Sequence, residues 1–162
     1  MVVQDKVEAI KSIGLFAGLT DQELDDVAKN CGEASFSEGQ ICQAEGQAAS
    51  RIHLILKGRV GSINPISNAI PAGSEMILEL FRAGDIFGWS SLIKGTSSWP
   101  AIRALEPVTA LYIEASDLLN LCERSRGISY IIMRNLSSII ASRLRRYRMS
   151  MLNAMVAIKG EW

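Results

Sequence analysis

The sequence holds one histidine, His53, and three cysteines among 162 residues. A lone histidine excludes two-histidine metal sites and any relay that needs a second imidazole. Cys31, Cys42 and Cys122 are odd in number and widely scattered, with no C-x-x-C spacing, which suits a reducing compartment better than a disulfide scaffold. Net charge is lacking too. Seventeen Lys and Arg balance 17 Asp and Glu, so no overall field draws in nucleic acid or an anionic membrane, and local patches must carry any such claim. No apolar run approaches the roughly eighteen residues of a membrane span, and Met1-Val2-Val3-Gln4-Asp5-Lys6 lacks the basic-then-apolar pattern of a leader. These absences predict a soluble, cytoplasmic protein of one domain with a core of its own, neither an enzyme nor a metal protein.

What is present falls into three blocks of different period. Val7, Ile10 and Ile13 recur at helical spacing, and Gly14 breaks the run before Leu15-Phe16. Thr20 followed three residues later by Glu23 is a capping box, with Leu24, Val27 and Ala28 continuing one apolar face, so a second helix is expected over 21–30, stopped by Gly32. The crowding of Asp21, Glu23, Asp25 and Asp26 is what a helix dipole favours in its first turns and needs no further role. From Ala34 the period changes to two: Phe36, Ile41, Ile52, Leu54, Leu56, Val60 and Ile63 are separated by glycines at 39, 46, 58 and 61. Further strands are expected over 76–80, 101–105 and 109–113, with an exposed loop over 64–74. Many short strands with glycine turns predict a mainly β fold with flanking helices, a jelly-roll whose closure hides its edges.

The third block is helical again. Ser116-Asp117 is read as the cap of a short helix to Cys122, and 124–127 as a hinge. Beyond it Ile132, Leu136, Ile140, Leu144, Tyr147, Met151, Met155 and Ile158 form a stripe some seven turns long. A helix of that length outruns a small barrel, so its far half must bury the stripe elsewhere. A second copy of the helix is the simplest partner, which predicts a homodimer through helix 128–158; the other reading folds the helix back over its own barrel. The expected division is a β domain over 1–127 and a dimerisation helix over 128–162.

The strands and long helix are organised around Phe81-Arg82-Ala83-Gly84-Asp85-Ile86-Phe87-Gly88-Trp89-Ser90-Ser91-Leu92. A strand ends at a Gly-Asp turn, a second glycine follows Phe87, and small hydroxyl residues open a short helical turn. Glycine lets backbone approach an anion closely, and the N–H groups of a helix start point at bound charge. Gly88, Ser90 and Ser91 are the candidate cradle. Cys42 and His53 would meet if their strands were adjacent, a pair able to bind metal or haem, but a buried cysteine is ordinarily inert packing.

Four stretches together resemble the cyclic-nucleotide-binding domain superfamily: Leu15-Phe16 with Leu24; Phe36, Gly39 and Ile41 with Glu45-Gly46; Ile52, Leu54-Ile55-Leu56, Gly58 and Val60; and Gly84-Asp85-Ile86-Phe87-Gly88 with Ile102-Arg103-Ala104. This is the sensor module of bacterial catabolite-activator-type regulators, protein-kinase regulatory subunits and cyclic-nucleotide-gated channels. The resemblance implies a jelly-roll, a cyclic nucleotide in the cradle, and a long helix whose ligand-driven reorientation transmits the signal. It also implies a glutamate after the cradle glycine for the ribose and, about ten residues on, an arginine for the cyclic phosphate.

Neither is here. The acid's place is taken by Trp89, or Ser90 if the register slips, and the arginine's by Ser98 or Trp99. Arg103 aligns with a framework arginine, and Lys94 is the remaining cation of the loop. Each lost charged hydrogen bond removes about 1.5–3 kcal/mol, so cyclic AMP binding is expected to be at least about a hundredfold weaker. The ligand-binding candidates are therefore Gly88, Trp89, Ser90, Ser91, Ser98 and Trp99, with Tyr147 and Arg148 as the lid that the long helix supplies. The ligand itself is unspecified, a cyclic nucleotide or another small anionic or aromatic molecule. The competing expectation is a non-sensing interaction module whose pocket is filled by Trp89 and Trp99. Catabolite-activator-type regulators continue into a DNA-reading domain, whereas this sequence stops at Trp162, so no DNA binding is expected and a separate protein partner is. Arg143-Leu144-Arg145-Arg146-Tyr147-Arg148 is read as a solvated helix face.

Overall fold

A computed structural model describes residues 1–65, 75–93 and 101–159. Helix α1 spans Val3–Lys11, a single 3-10 turn spans Gly14–Phe16, and α2 spans Asp21–Lys29. The predicted capping box is formed: the Thr20 side chain accepts from the Glu23 N–H at 3.3 Å, and the Glu23 carboxylate accepts from the Thr20 N–H at 2.9 Å. Helix α2 ends before Gly32, which lies inside strand β1, Cys31–Phe36. A Cβ at Gly32 would sit 2.3 Å from Cζ of Tyr112, so this glycine makes room for a ring on the neighbouring strand instead of stopping a helix.

The remaining strands are β2 (Ile41–Gln43), β3 (Arg51–Lys57), β4 (Val60–Pro65), β5 (Glu75–Phe81), β6 (Ile86–Phe87), β7 (Ala101–Ala104) and β8 (Val108–Glu114). They form two four-stranded antiparallel sheets, ordered β1-β8-β3-β6 and β2-β7-β4-β5, the jelly-roll arrangement the strand spacing predicts. Alternation on β3 divides the core in two. Ile52 and Leu54 face outward and pack with Leu111, Ile113 and the helices, while Ile55 faces inward to Phe81, Phe87, Val108 and Ala110.

Helix α3 spans Ala115–Arg124. Its N-cap is Glu114, so Ser116 and Asp117 lie in the first turn and do not cap it. The predicted hinge 124–127 contracts to one extended residue, Ser125 (φ −131°, ψ 112°), whose hydroxyl accepts from the Ile128 N–H at 3.3 Å and so caps the next helix. That helix, α4, spans Arg126–Lys159 and at 34 residues is about 51 Å long. Its apolar stripe follows the predicted period only part of the way. Ile128, Ile132 and Leu136 are buried, and Ile139 and Ile140 are partly so, but Leu144 is 68% exposed and Met151 61%. The side chains of Met155 and Ile158 lie outside the described ones. Among the described residues no helix is long and apolar enough to cross a membrane.

Candidate functional site

The turn after β5 is built by Asp85. Its carboxylate accepts from the Arg82 N–H at 3.0 Å and its N–H donates to the Arg82 carbonyl at 2.9 Å, closing the Gly84-Asp85 corner. Strand β6 then pairs with β3, Phe87 opposite His53 and Ile86 opposite Leu54. Gly88 follows in the left-handed region (φ 79°, ψ 8°) and starts a 3-10 turn, Trp89–Leu92. A Cβ at Gly88 would lie 2.2 Å from the Arg51 carbonyl oxygen and 3.3 Å from Gln43 Oε1, so both its dihedral and its closeness to β3 demand glycine.

The candidates are only partly brought together. Gly88, Trp89, Ser90 and Ser91 form one continuous turn. Ser91 turns inward on it, its N–H and its hydroxyl both donating to the Gly88 carbonyl, at 3.1 and 2.7 Å. Trp89 is half-buried and packs on the helix-side core, so its indole lies on the α4 side of the turn. Ser98 and Trp99 lie outside the described residues, as does Lys94. Tyr147 is half-buried against the barrel, whereas Arg148 is exposed.

Arg143, Glu79 and Ser62 escape the sequence reading. Arg143 belongs to the run read as a solvated face. Arg145, Arg146 and Arg148 are exposed, but Arg143 is only 7% exposed because position 143 continues the inward face of Leu136 and Ile140. Its guanidinium lies 4.7 Å from the Phe81 ring centroid and 5.8 Å from that of Trp89, and it donates to the Ile86 carbonyl at 2.5 Å. Glu79 on β5 faces it at 3.5 Å, and the same carboxylate accepts from Arg146 at 2.9 Å and from the Tyr147 hydroxyl at 3.2 Å. Burial pulls the Arg143 pKa down, with Glu79 opposing. Burial, with the Glu79 charge next, raises that of Tyr147. Ser62, also buried, faces Tyr147, but its hydroxyl does not reach hydrogen-bond geometry. A cavity of about 360 Å³ opens between Leu78, Glu79, Arg82, Asp85, Arg146 and Tyr147. The helical period of 143 and the strand period of 79 were the available signals; charge hid them.

On the inner face of β3, beside the same turn, His53 stacks on Phe87 at 4.5 Å with rings 6° from parallel, and its Nδ1 has no hydrogen-bond partner. Burial, reinforced by the Arg51 charge, pushes its pKa down to about 4, so it is neutral at physiological pH. Burial raises Cys42 to about 11. His53 and Cys42 do line one opening, but a neutral thiol and an enclosed imidazole offer little to a metal. Among the described residues no three of His, Cys, Asp and Glu come together as a metal site.

Comparison with known proteins places this geometry. The family model for the cyclic nucleotide-binding domain matches residues 33–125, more than half of the chain, from β1 to the end of α3. A CRP-like cAMP-activated global transcriptional regulator of Mycobacterium tuberculosis is 24% identical over 139 residues, covering 86% of this chain and 58% of the relative. The chain thus spans a little over half the length of that regulator. Among solved structures, a Geobacter metallireducens GS-15 protein assigned to the cyclic nucleotide-binding class is 29% identical with a TM-score of 0.71, covering 85% of this chain and 96% of its own. A cyclic nucleotide-binding domain from Methylobacillus flagellatus KT superposes with a TM-score of 0.77 at 20% identity, covering 94% and 83%, and at that identity it supports the fold alone.

Proposed function

The chain belongs to the cyclic nucleotide-binding domain family, and from that premise we propose that it is a regulatory sensor domain that does not bind cyclic AMP tightly. The observation that carries the reading is the Gly88 turn. Its left-handed glycine and close approach to β3 are kept, while Trp89 stands directly after it where the family resemblance calls for a ribose-binding carboxylate. The preferred ligand is a small anionic or flat aromatic molecule held between the turn and α4, with Arg143 as the facing side chain. Tyr147, half-buried, and Arg148, exposed, remain the proposed lid on the same helix.

In this reading α4 is a unit distinct from the β domain, and its distal half pairs with a second copy. Support comes from Leu144, Met149 and Met151, which are exposed in the single chain along a helix too long for its barrel. The protein works in the cytoplasm, without catalysis or DNA binding of its own, by presenting or withdrawing α4 to a separate partner. A second reading is favoured by one contact. Because Arg143 already lies over the Trp89 indole, the pocket is filled by the chain's own side chains and the domain is an interaction module. Thermal-shift measurements with cyclic mononucleotides, cyclic dinucleotides and haem separate the two. Saturable stabilisation by any of them supports the sensor, and a flat response to all supports the module.

A further inference from the structure

The way α4 is attached changes along its length. From Ile128 to Ile140 it is held by apolar burial in the helix-side core. Beyond Ile140 the inward side chains are Arg143 and Tyr147, while Leu144, Met149, Met151 and Leu152 all face solvent. Those distal turns therefore gain almost nothing from the hydrophobic effect. Their described attachment to the β domain centres on three α4 groups at i, i+3 and i+4 converging on one carboxylate, with the Arg143 bond to Ile86 and its guanidinium over the Phe81 ring beside it. Glu79 is itself only 11% exposed, so its charge is compensated chiefly by groups that α4 carries. Arg143 completes the arrangement, since it also touches Trp89 and the Ile86 carbonyl, two residues before Gly88.

We propose that Glu79 is an internal latch: its carboxylate holds the distal half of α4 to the barrel through Arg143, Arg146 and Tyr147. The latch does not rest on the sensor reading. The hydrogen bonds from Arg146 and Tyr147, at 2.9 and 3.2 Å, are its closer contacts, and the Arg143 ion pair at 3.5 Å ties them to the Ile86 carbonyl. With the Glu79 charge removed these contacts weaken together and the distal turns open from the barrel, while Ile128, Ile132 and Leu136 stay buried.

Hydrogen–deuterium exchange on the full chain tests the latch without any ligand. Glu79→Gln keeps the size but removes the charge and exchanges one acceptor oxygen for a donor NH2 facing donors, and it should raise exchange of amides 143–152 by about tenfold while amides 128–136 and strands β3 and β8 keep the parent rates. Unchanged exchange over 143–152, or an equal rise across the barrel, would overturn the proposal. If Glu79→Gln does not fold, Glu79→Asp, which shortens the reach by one methylene, should give the same local rise. In an Arg143→Met, Arg146→Met, Tyr147→Phe background Glu79→Gln should add nothing further over 143–152, and an additive effect there would equally overturn the latch. Failure of every ligand in the thermal-shift panel leaves these outcomes untouched, so the latch and the sensor reading fail separately.

Discussion

Replacing Gly88 with alanine isolates what the turn requires. Gly46 has nearly the same dihedral, φ 70° against 79°, but nothing within 4 Å of an added methyl, so Gly46→Ala measures the left-handed backbone alone, about 1 kcal/mol. At Gly88 the same methyl would meet the Arg51 carbonyl oxygen at 2.2 Å, about 1 Å inside ordinary contact, and that oxygen is backbone and cannot rotate away. Relief requires β6 to draw back from β3. Such a movement weakens a backbone hydrogen bond such as Ile55 N–H to Asp85 O (3.0 Å) and the His53–Phe87 stack, each worth on the order of 1 kcal/mol. Gly88→Ala should therefore cost about 3 kcal/mol in all, against about 1 for Gly46→Ala, which for a domain of this size separates their melting midpoints by roughly 4–8 °C. Urea unfolding of both variants beside the parent reads the difference. Equal midpoints would refute the claim that the glycine serves the close approach of the cradle to β3.

Three further substitutions, one of them read against pH, test other parts of the account. His53 is held neutral in the fold, its pKa lowered from 6.5 to about 4, so the unfolded chain binds more protons between those values. Stability should thus be unaffected above pH 6.5 and fall as pH drops toward 4, by at most about 3 kcal/mol from this group. His53→Phe, which keeps the ring stack and discards an unpartnered nitrogen, should flatten that part of the profile, and an unchanged slope would show that other groups carry it. On α4, Leu136→Ala removes a side chain that is 4% exposed and should cost about 2–4 kcal/mol at every protein concentration. Leu144→Asp should leave the monomer's stability nearly unchanged yet shift sedimentation toward monomer, and a sedimentation profile matching the parent's would contradict pairing through the distal helix.

Period and turn chemistry made most of the fold legible. The Thr20–Glu23 box, the alternation of β3 and the Gly84-Asp85 corner all lie where local rules put them, because each is satisfied within a few residues. What escaped depends on partners distant in sequence. Gly32 reads as a helix stop until Tyr112 is seen lying over it. Arg143 reads as solvent-facing because charge ordinarily outweighs position. It is buried only because Glu79, Phe81, Ile86 and Trp89 are all brought to it. The cradle glycine was visible by motif, but what it packs against, the Arg51 carbonyl and Gln43 Oε1, comes from β3 and β2, and the guanidinium over the neighbouring Trp89 comes from α4.

The most direct test of the account is a calorimetric titration of cyclic AMP into the parent chain and into a Trp89→Glu, Ser98→Arg variant. Restoring the two missing polar contacts should tighten binding by at least about a hundredfold over the parent. A parent that binds cyclic AMP as tightly as the restored variant would contradict the reading that this domain keeps the turn and has given up recognition of the cyclic phosphoribose.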